Sequence, residues 1–341
     1  MNALTPIRTV RAATPADYAA VAAFVRGHPD AEPFHLPAWS SAVERGCGQA
    51  AHILVAEDVV GKIRGVLPLS EMRSPLFGSA LVSTGFGVGG GILGDGGDAL
   101  ADAAWSLAQA RGCASVELRG GVLPTDWARC GNTYAGFVRD LPSAEDAILQ
   151  AIPRKQRAEV RRSLTLGLEV SVGRDQDAHY RVYSESVRNL GTPVFPCSLF
   201  AAMLEAFGDD ADILVVRKDG VPVAAVLSLY FRGTVFPYWG GGTAAARALR
   251  ANECMYFALM RHAAARGCNR FDFGRSKLGT GAYAFKKNWG FAPQPLVYAT
   301  KGEARQTNPL SPKYRLQVAA WKKMPLWLAN RIGPPIARGL G

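Results

Sequence analysis

Hydrophobic and polar positions along the chain follow the same order twice. In each copy, two apolar runs separated by a short polar turn predict a β-hairpin, at residues 53–69 and at residues 213–229. A triple glycine, which predicts a turn, follows each hairpin. A helical pattern comes next, at 99–110 or 253–265, and both helices end in the tetrapeptide Ala-Arg-Gly-Cys, where the glycine suits a left-handed cap. This repetition indicates a duplicated structural unit.

Each copy closes with more strands and one short helix. A buried-looking strand lies at 114–118 or 270–273, and a short helix then leads into a Gly-Phe pair before a last strand. Strands and helices mixed at these lengths predict an α/β, or α+β layered, domain repeated twice. The predicted division is residues 1–145 for the first domain, 146–303 for the second domain and 304–341 for a C-terminal tail.

Composition excludes several classes of protein. With 48% hydrophobic and 20% charged residues, the chain can bury a core without metal or disulfide staples. The six cysteines lie far apart without zinc-site spacing, which favours reduced, buried thiols and no metal. The apolar stretches are shorter than the ~20 residues that a membrane helix needs. Because the N-terminus MNALTPIRTV has no apolar signal core, we expect a cytoplasmic protein.

The net charge of +11 is concentrated in two segments. Residues 306–341 hold six cationic and no acidic residues, and residues 153–162 hold five cationic residues and one glutamate. Such segments favour local contact with phosphate, nucleic acid or membrane headgroups, or they are solvated helix faces. No DNA partner is expected. Pro325 splits the tail into two amphipathic pieces, so residues 308–338 either contact anionic lipid peripherally or dock on the second domain.

Several motifs resemble those of the FemAB-like proteins. They are KQRAEVRRSLTLGLEV (155–170), YWGGG (238–242) and RFDFGRSKLGTGAYAFKKNWGF (270–291). FHLPAW (34–39) and the segment 308–335 resemble the subgroup associated with exosortase/PEP-CTERM systems and exopolysaccharide production. The resemblance implies two tandem GNAT-type acyltransferase domains with mixed β-sheets flanked by helices. It also implies transfer of an acyl or aminoacyl group to an amine, without a permanently bound cofactor.

The donor stays open between aminoacyl-tRNA and acyl-CoA. Peptidoglycan-bridge members of the family use aminoacyl-tRNA and a cell-wall precursor, and often carry a helical arm for which residues 209–243 leave no room. GNAT enzymes that use acetyl-CoA bind its pyrophosphate with the loop Q/R-x-x-G-x-G/A. The corresponding residues 247–252 lack the glycines, which predicts weak CoA binding.

The resemblance implies that Lys286, in the motif AFKKNWGF, stabilises the oxyanion of the tetrahedral intermediate in amide formation. The alternative is a surface lysine on a short helix, which is the better reading for Lys287. Alignment of the Gly-Phe pairs places Asn132 opposite Lys286. We therefore expect one active site, in the second copy, with the first copy as scaffold or acceptor-binding wall.

Further candidates surround this lysine. Asp272 could orient or deprotonate the incoming ammonium, or form a strand-end salt bridge with Arg275. The loop 274–281 could bind phosphate or carboxylate oxygens, or be a plain strand-to-helix turn. Aromatic residues could stack on a sugar or base, or belong to the core. The candidate substrate-binding residues are Arg275, Ser276, Lys277, Tyr238, Trp239, Tyr283 and Lys287.

Three functions follow in order of preference. The first is an N-acyltransferase or aminoacyltransferase that forms an amide on an amine of a cell-envelope precursor or exopolysaccharide building block. The second is acyl-CoA-dependent acylation of a small amine or amino sugar. The third is a non-catalytic binding protein of polysaccharide assembly that has kept the fold.

Overall fold

The computed structural model describes residues 7–303 and 315–341. They form two compact units, each built on a mixed β-sheet with flanking helices. Within the described residues, the first unit comprises 7–132, 296–303 and 335–341, and the second comprises 133–295 and 315–334. The predicted boundary after residue 145 therefore falls inside the second unit.

The elements before residue 133, where the second unit begins, follow the predicted order of strands and helices. They are β1 (Ile7–Ala12), α1 (Tyr18–Gly27), α2 (Pro37–Cys47), β2 (Ala51–Asp58), β3 (Ile63–Ser74), β4 (Gly78–Ser83), β5 (Leu93–Gly94), α3 (Gly97–Ala110), β6 (Ser115–Arg119) and β7 (Ala128–Cys130).

The elements from residue 133 onward repeat this order with additional helices. They are β8 (Tyr134–Asp140), α4 (Glu145–Ala151), α5 (Arg154–Ser163), β9 (Leu168–Gly173), α6 (Gln176–Leu190), α7 (Cys197–Phe207), β10 (Ala211–Lys218), β11 (Val221–Phe231), β12 (Thr234–Gly242), α8 (Ala251–Ala265), β13 (Arg270–Lys277), α9 (Gly281–Asn288), β14 (Gln294–Pro295), β15 (Tyr298–Gly302), α10 (Arg315–Lys323) and α11 (Leu326–Ala337).

The predicted repeat is confirmed at the level of hairpins and helices. β2 pairs with β3 and β10 with β11, both antiparallel. After α3 and α8, Gly112 and Gly267 take φ of +65° and +83°, as the shared Ala-Arg-Gly-Cys sequence predicts for a left-handed cap. The apolar faces of α3 and α8 each cover one sheet, and each helix contributes to the buried core of its unit.

Two local predictions were wrong. The triple glycine Gly240 to Gly242 is not a turn but the end of β12, paired with residues of β11. Glycine is needed there because a Cβ on Gly241 would lie 2.2 Å from Oγ of Ser186 on α6. The short helix predicted before Gly136 in the first copy is instead the strand β7, which pairs with β15.

The last strand of each copy belongs to the sheet of the other unit. The first sheet has the order β1-β2-β3-β4-β6-β15-β7, and the second has the order β14-β8-β13-β12-β11-β10-β9. β15 thus lies between β6 and β7, and β8 lies between β13 and β14. Pattern alone could not reveal this exchange, because apolar strands of equal length fit either sheet.

The C-terminal helices α10 and α11 dock on α6. Arg188 of α6 donates to the carbonyl of Met324 at 3.2 Å, and Asn330 donates to Oγ of Ser184 at 3.3 Å. A Cβ on Gly191 would lie 2.5 Å from Val318, so glycine permits a close approach of α10. Within the described residues, no helix is long and apolar enough to cross a bilayer.

Candidate active site

The parallel strands β12 and β13 separate soon after they begin. Only two residue pairs join them, Thr234 with Arg270 and Val235 with Phe271, although both strands continue for several residues. On its other side β13 stays paired with β8 to its end. Among the described residues, the later half of β13 therefore faces an opening in the sheet on the β12 side.

A bulge in β13 lies beside this opening. Asp272 pairs with Val138 and Arg275 with Gly136, so β13 has one residue more than β8 between these pairs. Gly274 takes φ of +63°, which costs glycine little because it has no Cβ. Its N–H donates to Oδ1 of Asp272 at 2.7 Å. A lone glycine inside a strand is the sequence signal that indicates such a bulge.

Helix α9 carries the candidate lysine to the same bulge. The hydroxyl of Thr280 accepts from the N–H of Tyr283 at 3.3 Å and so caps the first turn. Beyond the last turn, Trp289 and Phe291 are 0% and 2% exposed and anchor the helix in the core. Lys286 lies in the last turn of α9, and its side chain reaches β13.

The ammonium group of Lys286 binds the carbonyl groups of the bulge. Nζ donates to the carbonyl oxygen of Phe273 at 2.6 Å, of Arg275 at 2.9 Å and of Gly274 at 3.4 Å. An ammonium has three N–H groups, and the contact at 3.4 Å is too long for a strong hydrogen bond. Two of the three N–H groups are therefore firmly bound, and the third is held weakly.

Burial shifts the pKa values of this lysine and of Asp272 toward each other. Burial lowers the pKa of Lys286 to about 8, against the favourable charge of Asp272. Burial raises the pKa of Asp272 to about 6, against the hydrogen bond from Gly274 and the charge of Lys286. Desolvation disfavours both charged forms, and the opposite charges partly offset that effect. A carboxylate and an ammonium thus lie on one bulge with pKa values on either side of neutrality.

The three polar residues after the bulge have different surroundings. The guanidinium of Arg275 lies 4.7 Å from the ring centroid of Tyr134. Ser276 is 5% exposed, and its Oγ has no hydrogen-bond partner among the described residues. Lys277 is partly exposed at the end of β13. The candidate salt bridge between Asp272 and Arg275 is replaced by the hydrogen bond from Gly274.

The aromatic candidates and Lys287 divide between core and surface. Trp239 is 4% exposed and meets Phe200 edge to face at 5.4 Å, so it is a core residue. Tyr238 lies edge to face against Trp239 at 4.7 Å and is partly exposed. Tyr283 packs edge to face on Phe137 at 5.3 Å. Lys287 is exposed, with Nζ 5.8 Å from the ring centroid of Tyr283.

A buried histidine that the sequence analysis did not single out holds β12 near the opening. His179 on α6 is 0% exposed, and its Nε2 lies 2.7 Å from the carbonyl oxygen of Trp239. Burial lowers its pKa to about 4, so the ring is neutral and Nε2–H donates. The register of β12 shifts beside this contact, and the histidine satisfies a carbonyl at that irregularity. No motif marks His179, since its role depends on a contact 60 residues away.

The stretch that corresponds to a pyrophosphate loop contains an arginine that forms an ion pair with α5. Arg250 precedes α8 with φ of +52°, and its Nε lies 2.5 Å from Oε2 of Glu159 on α5. Nη1 of Arg250 also donates to the carbonyl of Arg247 at 2.9 Å. A side chain with a Cβ therefore occupies a left-handed position at which glycine is favoured, and Arg250 links this stretch to α5.

The first copy lacks the elements that carry the site. Its counterpart of β13 is β6, which pairs in parallel with β4. The strand β7 follows where the second copy has α9. Asn132, the residue aligned with Lys286, is exposed before β8. The first copy therefore has neither the helix nor the ammonium group of the second.

Comparison with known proteins agrees with this architecture. Residues 154–287 match the family model described as an acetyltransferase (GNAT) domain, a range that includes Asp272 and Lys286. None of the curated proteins matches the sequence. Residues 154–287 are thus similar to a GNAT acetyltransferase domain.

Solved structures with a similar fold cover most of the chain. FemX is similar at a TM-score of 0.65 with 16% identity, covering 86% of this chain and 97% of FemX. A tandem GNAT protein from the clavulanic acid biosynthesis pathway has a TM-score of 0.55 with 13% identity, covering 86% and 98%. The C-terminal domain of a putative lysylphosphatidylglycerol synthetase from Agrobacterium fabrum has a TM-score of 0.54 with 14% identity, covering 84% and 92%. The fold is that of tandem GNAT proteins.

Proposed function

We propose that the second unit forms an amide by transferring an acyl or aminoacyl group to an amine of a cell-envelope precursor or exopolysaccharide building block. The observation that carries this proposal is that the side chains of Asp272 and Lys286 both bind the backbone of one bulge, beside the opening between β12 and β13. Both residues lie within the range that matches the GNAT acetyltransferase domain. The first unit serves as scaffold or acceptor-binding wall.

In this mechanism Asp272 accepts a proton from the incoming ammonium. With a pKa of about 6, its carboxylate is ionised at neutral pH and is more basic than an ordinary aspartate. The neutral amine then attacks the carbonyl carbon of the donor, and a carbon–nitrogen bond forms. The intermediate collapses as the carbon–oxygen bond to the ribose of tRNA, or the carbon–sulfur bond to CoA, breaks. The proton lost by the new amide nitrogen goes to the leaving oxygen or sulfur, and Asp272 returns its proton to solvent.

Lys286 stabilises the oxyanion of that intermediate. Its pKa of about 8 leaves it mostly protonated at neutral pH. The N–H that contacts Gly274 at 3.4 Å can turn to the oxyanion at little cost, while the two short hydrogen bonds keep the ammonium in place. One well-placed donor of this kind contributes about 2.7–4 kcal/mol to transition-state stabilisation.

The acceptor class rests on resemblance. The motifs at 155–170 and 270–291 are similar to those of FemAB-like proteins, and FHLPAW with the tail is similar to the exosortase/PEP-CTERM-associated subgroup. FemX has the same fold. An amine on a peptidoglycan or exopolysaccharide precursor is therefore the acceptor that we propose.

An acyl-CoA donor is the second candidate, because the matching family model is that of an acetyltransferase domain. The ion pair of Arg250 with Glu159 and the missing glycines at 247–252 oppose close approach of a pyrophosphate. We therefore favour aminoacyl-tRNA. Direct binding of acyl-CoA and of aminoacyl-tRNA distinguishes the two donors, and CoA binding tighter than aminoacyl-tRNA binding would reverse this preference.

The substrate is found by mass spectrometry of envelope glycans and precursors from cells with and without the protein. We expect one amide to be missing when the protein is absent. On that substrate, Lys286→Ala should lower kcat about 10²–10³-fold. Lys62→Ala, which changes an exposed lysine between β2 and β3, is the control and should leave kcat unchanged. Full activity of folded Lys286→Ala would remove the lysine from the mechanism, and absence of any amide difference would favour a binding protein.

A further inference from the structure

The two C-terminal helices have an outward face as well as the inward face that docks on α6. Leu316 of α10 is 83% exposed, and Trp327 and Ile332 of α11 are 69% and 36% exposed. The inward side of the same helices is occupied, since Met324 and Asn330 are bonded to α6. Docking on the protein therefore uses one face of each helix and leaves a second apolar face in solvent.

The charges beside these apolar residues have one sign. The four cationic residues of α10 and the first part of α11 are exposed, and among the described residues none of them forms an ion pair. Residues 306–341 contain no aspartate or glutamate. A lone exposed apolar residue is ordinary on a protein surface, but a tryptophan and a leucine among unpaired cations are typical of an interfacial helix. The four cations are Arg315, Lys322, Lys323 and Arg331.

We propose that these seven residues, the basic–aromatic face, bind the surface of an anionic phospholipid bilayer. Tryptophan prefers the headgroup level, and leucine and isoleucine gain free energy by insertion among acyl chains. Each lysine or arginine near an anionic surface contributes about 1 kcal/mol. Both helices dock on α6 mainly through other residues, although the aliphatic stem of Lys322 lies beside Gly191 at the end of α6. The helices then lie in the plane of the membrane.

The composition of the face distinguishes a bilayer from RNA. Cations alone would suffice for phosphate groups of RNA, and aliphatic side chains do not stack on bases. The exposed aliphatic side chains near the tryptophan therefore favour a bilayer, because they can contact its acyl chains. The proposal goes beyond the acyltransferase function and does not depend on it, because the binding experiment uses no acyl transfer.

The experiment measures co-sedimentation of the full chain with vesicles of phosphatidylcholine, with and without phosphatidylglycerol. We expect binding only to the anionic vesicles, weakened by high salt. Lys322→Gln with Lys323→Gln should lower the partition coefficient roughly 30-fold, at about 1 kcal/mol for each charge. Trp327→Ala should lower it roughly tenfold. All three positions are exposed, and glutamine keeps most of the Lys322 stem that lies beside Gly191, so the thermal unfolding temperature should change little.

A matched control is present on another face of the second unit. Arg154 and Lys155 are also an adjacent, exposed cationic pair, on α5, which packs against α8 rather than α6. Arg154→Gln with Lys155→Gln should leave vesicle binding unchanged. An equal loss in this control, or equal binding to neutral vesicles, would overturn the proposal.

The depth of Trp327 in the bilayer can be measured independently of vesicle binding. Brominated lipids should quench fluorescence of the wild type more than that of Trp327→Phe, because Trp327 is the exposed tryptophan of the face. If the protein ignores anionic vesicles while tRNA binding depends on Lys322 and Lys323, the face is a nucleic-acid surface and the membrane proposal is wrong.

Discussion

At the scale of single residues, Asp272 and Lys286 show how burial and proximity together set protonation. Neither shift follows from residue type, since both arise because the two side chains share one partly buried bulge. The proposed mechanism requires Asp272 ionised and Lys286 protonated. Only the interval between their pKa values allows both conditions.

This interval predicts a bell-shaped pH dependence of kcat/KM. The rate should fall below pH about 6, as Asp272 becomes protonated, and above about 8, as Lys286 loses its proton. Lys286→Arg keeps the cation at all working pH values, so the alkaline limb should move to higher pH. An alkaline limb identical in the wild type and in an active Lys286→Arg variant would assign that limb to another group.

Glu71 in the first unit offers a test of stability at the same scale. It is 2% exposed and contacts Arg73 at 2.5 Å, Arg111 at 2.8 Å and His52 at 3.1 Å. Burial alone would raise the pKa of Glu71, but hydrogen bonds from Arg111, His52 and Arg73 outweigh it and lower the pKa to about 2. The ionised Glu71 therefore stabilises the folded state fully above the unfolded-state pKa of 4.5, and this stabilisation is lost as the pH falls toward about 2.

Glu71→Gln should lower the free energy of unfolding by about 3 kcal/mol at neutral pH. The difference from wild type should shrink between pH 4.5 and about 2, as denaturant unfolding can measure. Glu145→Gln removes a half-exposed ion pair with Arg261 and should cost less than about 1 kcal/mol. A pH-independent loss in Glu71→Gln would show that packing rather than charge is responsible.

At the scale of elements, the contact between α6 and β12 depends on the absence of a single side chain. A Cβ on Gly241 would lie 2.2 Å from Oγ and 2.7 Å from Cβ of Ser186. Gly241→Ala should therefore force the helix from the strand and cost about 1–3 kcal/mol. Ser186→Gly should recover part of this loss in the double variant, measured as a coupling free energy. Strict additivity of the two changes would show that the clash is relieved elsewhere.

The sequence predicted the secondary-structure elements better than it predicted which elements pair or pack together. Hairpins, the helices α3 and α8, and the glycine caps at 112 and 267 follow from local spacing and agree with the structure. The bulge of β13 had a signal in Gly274, but the ammonium that binds its carbonyls is brought there by tertiary packing of α9. The ion pair between Arg250 and Glu159 joins residues 91 positions apart, and nothing in local spacing indicates it.

At the scale of the whole molecule, the exchanged strands determine where the chain can be divided. A cut between 132 and 133 leaves β8 with its own sheet, whereas a cut between 145 and 146 separates β8 from β13 and β14. The fragment 1–132 lacks β15, so β6 and β7 expose unpaired edges.

We expect fragment 1–132 to aggregate when expressed alone and to stay soluble when co-expressed with fragment 133–341. The second fragment supplies β15 and keeps β8. The pair 1–145 and 146–341 should assemble less well, since each sheet then depends on a strand of the other fragment. Size-exclusion chromatography and co-purification measure the difference, and equal recovery of both pairs would contradict it.

The position of β15 also determines when the first sheet can be completed during synthesis. A ribosome releases β6 and β7 while residues 298–302 are still untranslated, so the gap between those strands stays open until nearly the entire message has been read. The N-terminal half cannot finish folding first, as vectorial translation would otherwise allow. A ribosome-bound chain that ends before residue 298 should accordingly stay bound to ribosome-associated chaperones longer than the complete chain after its release.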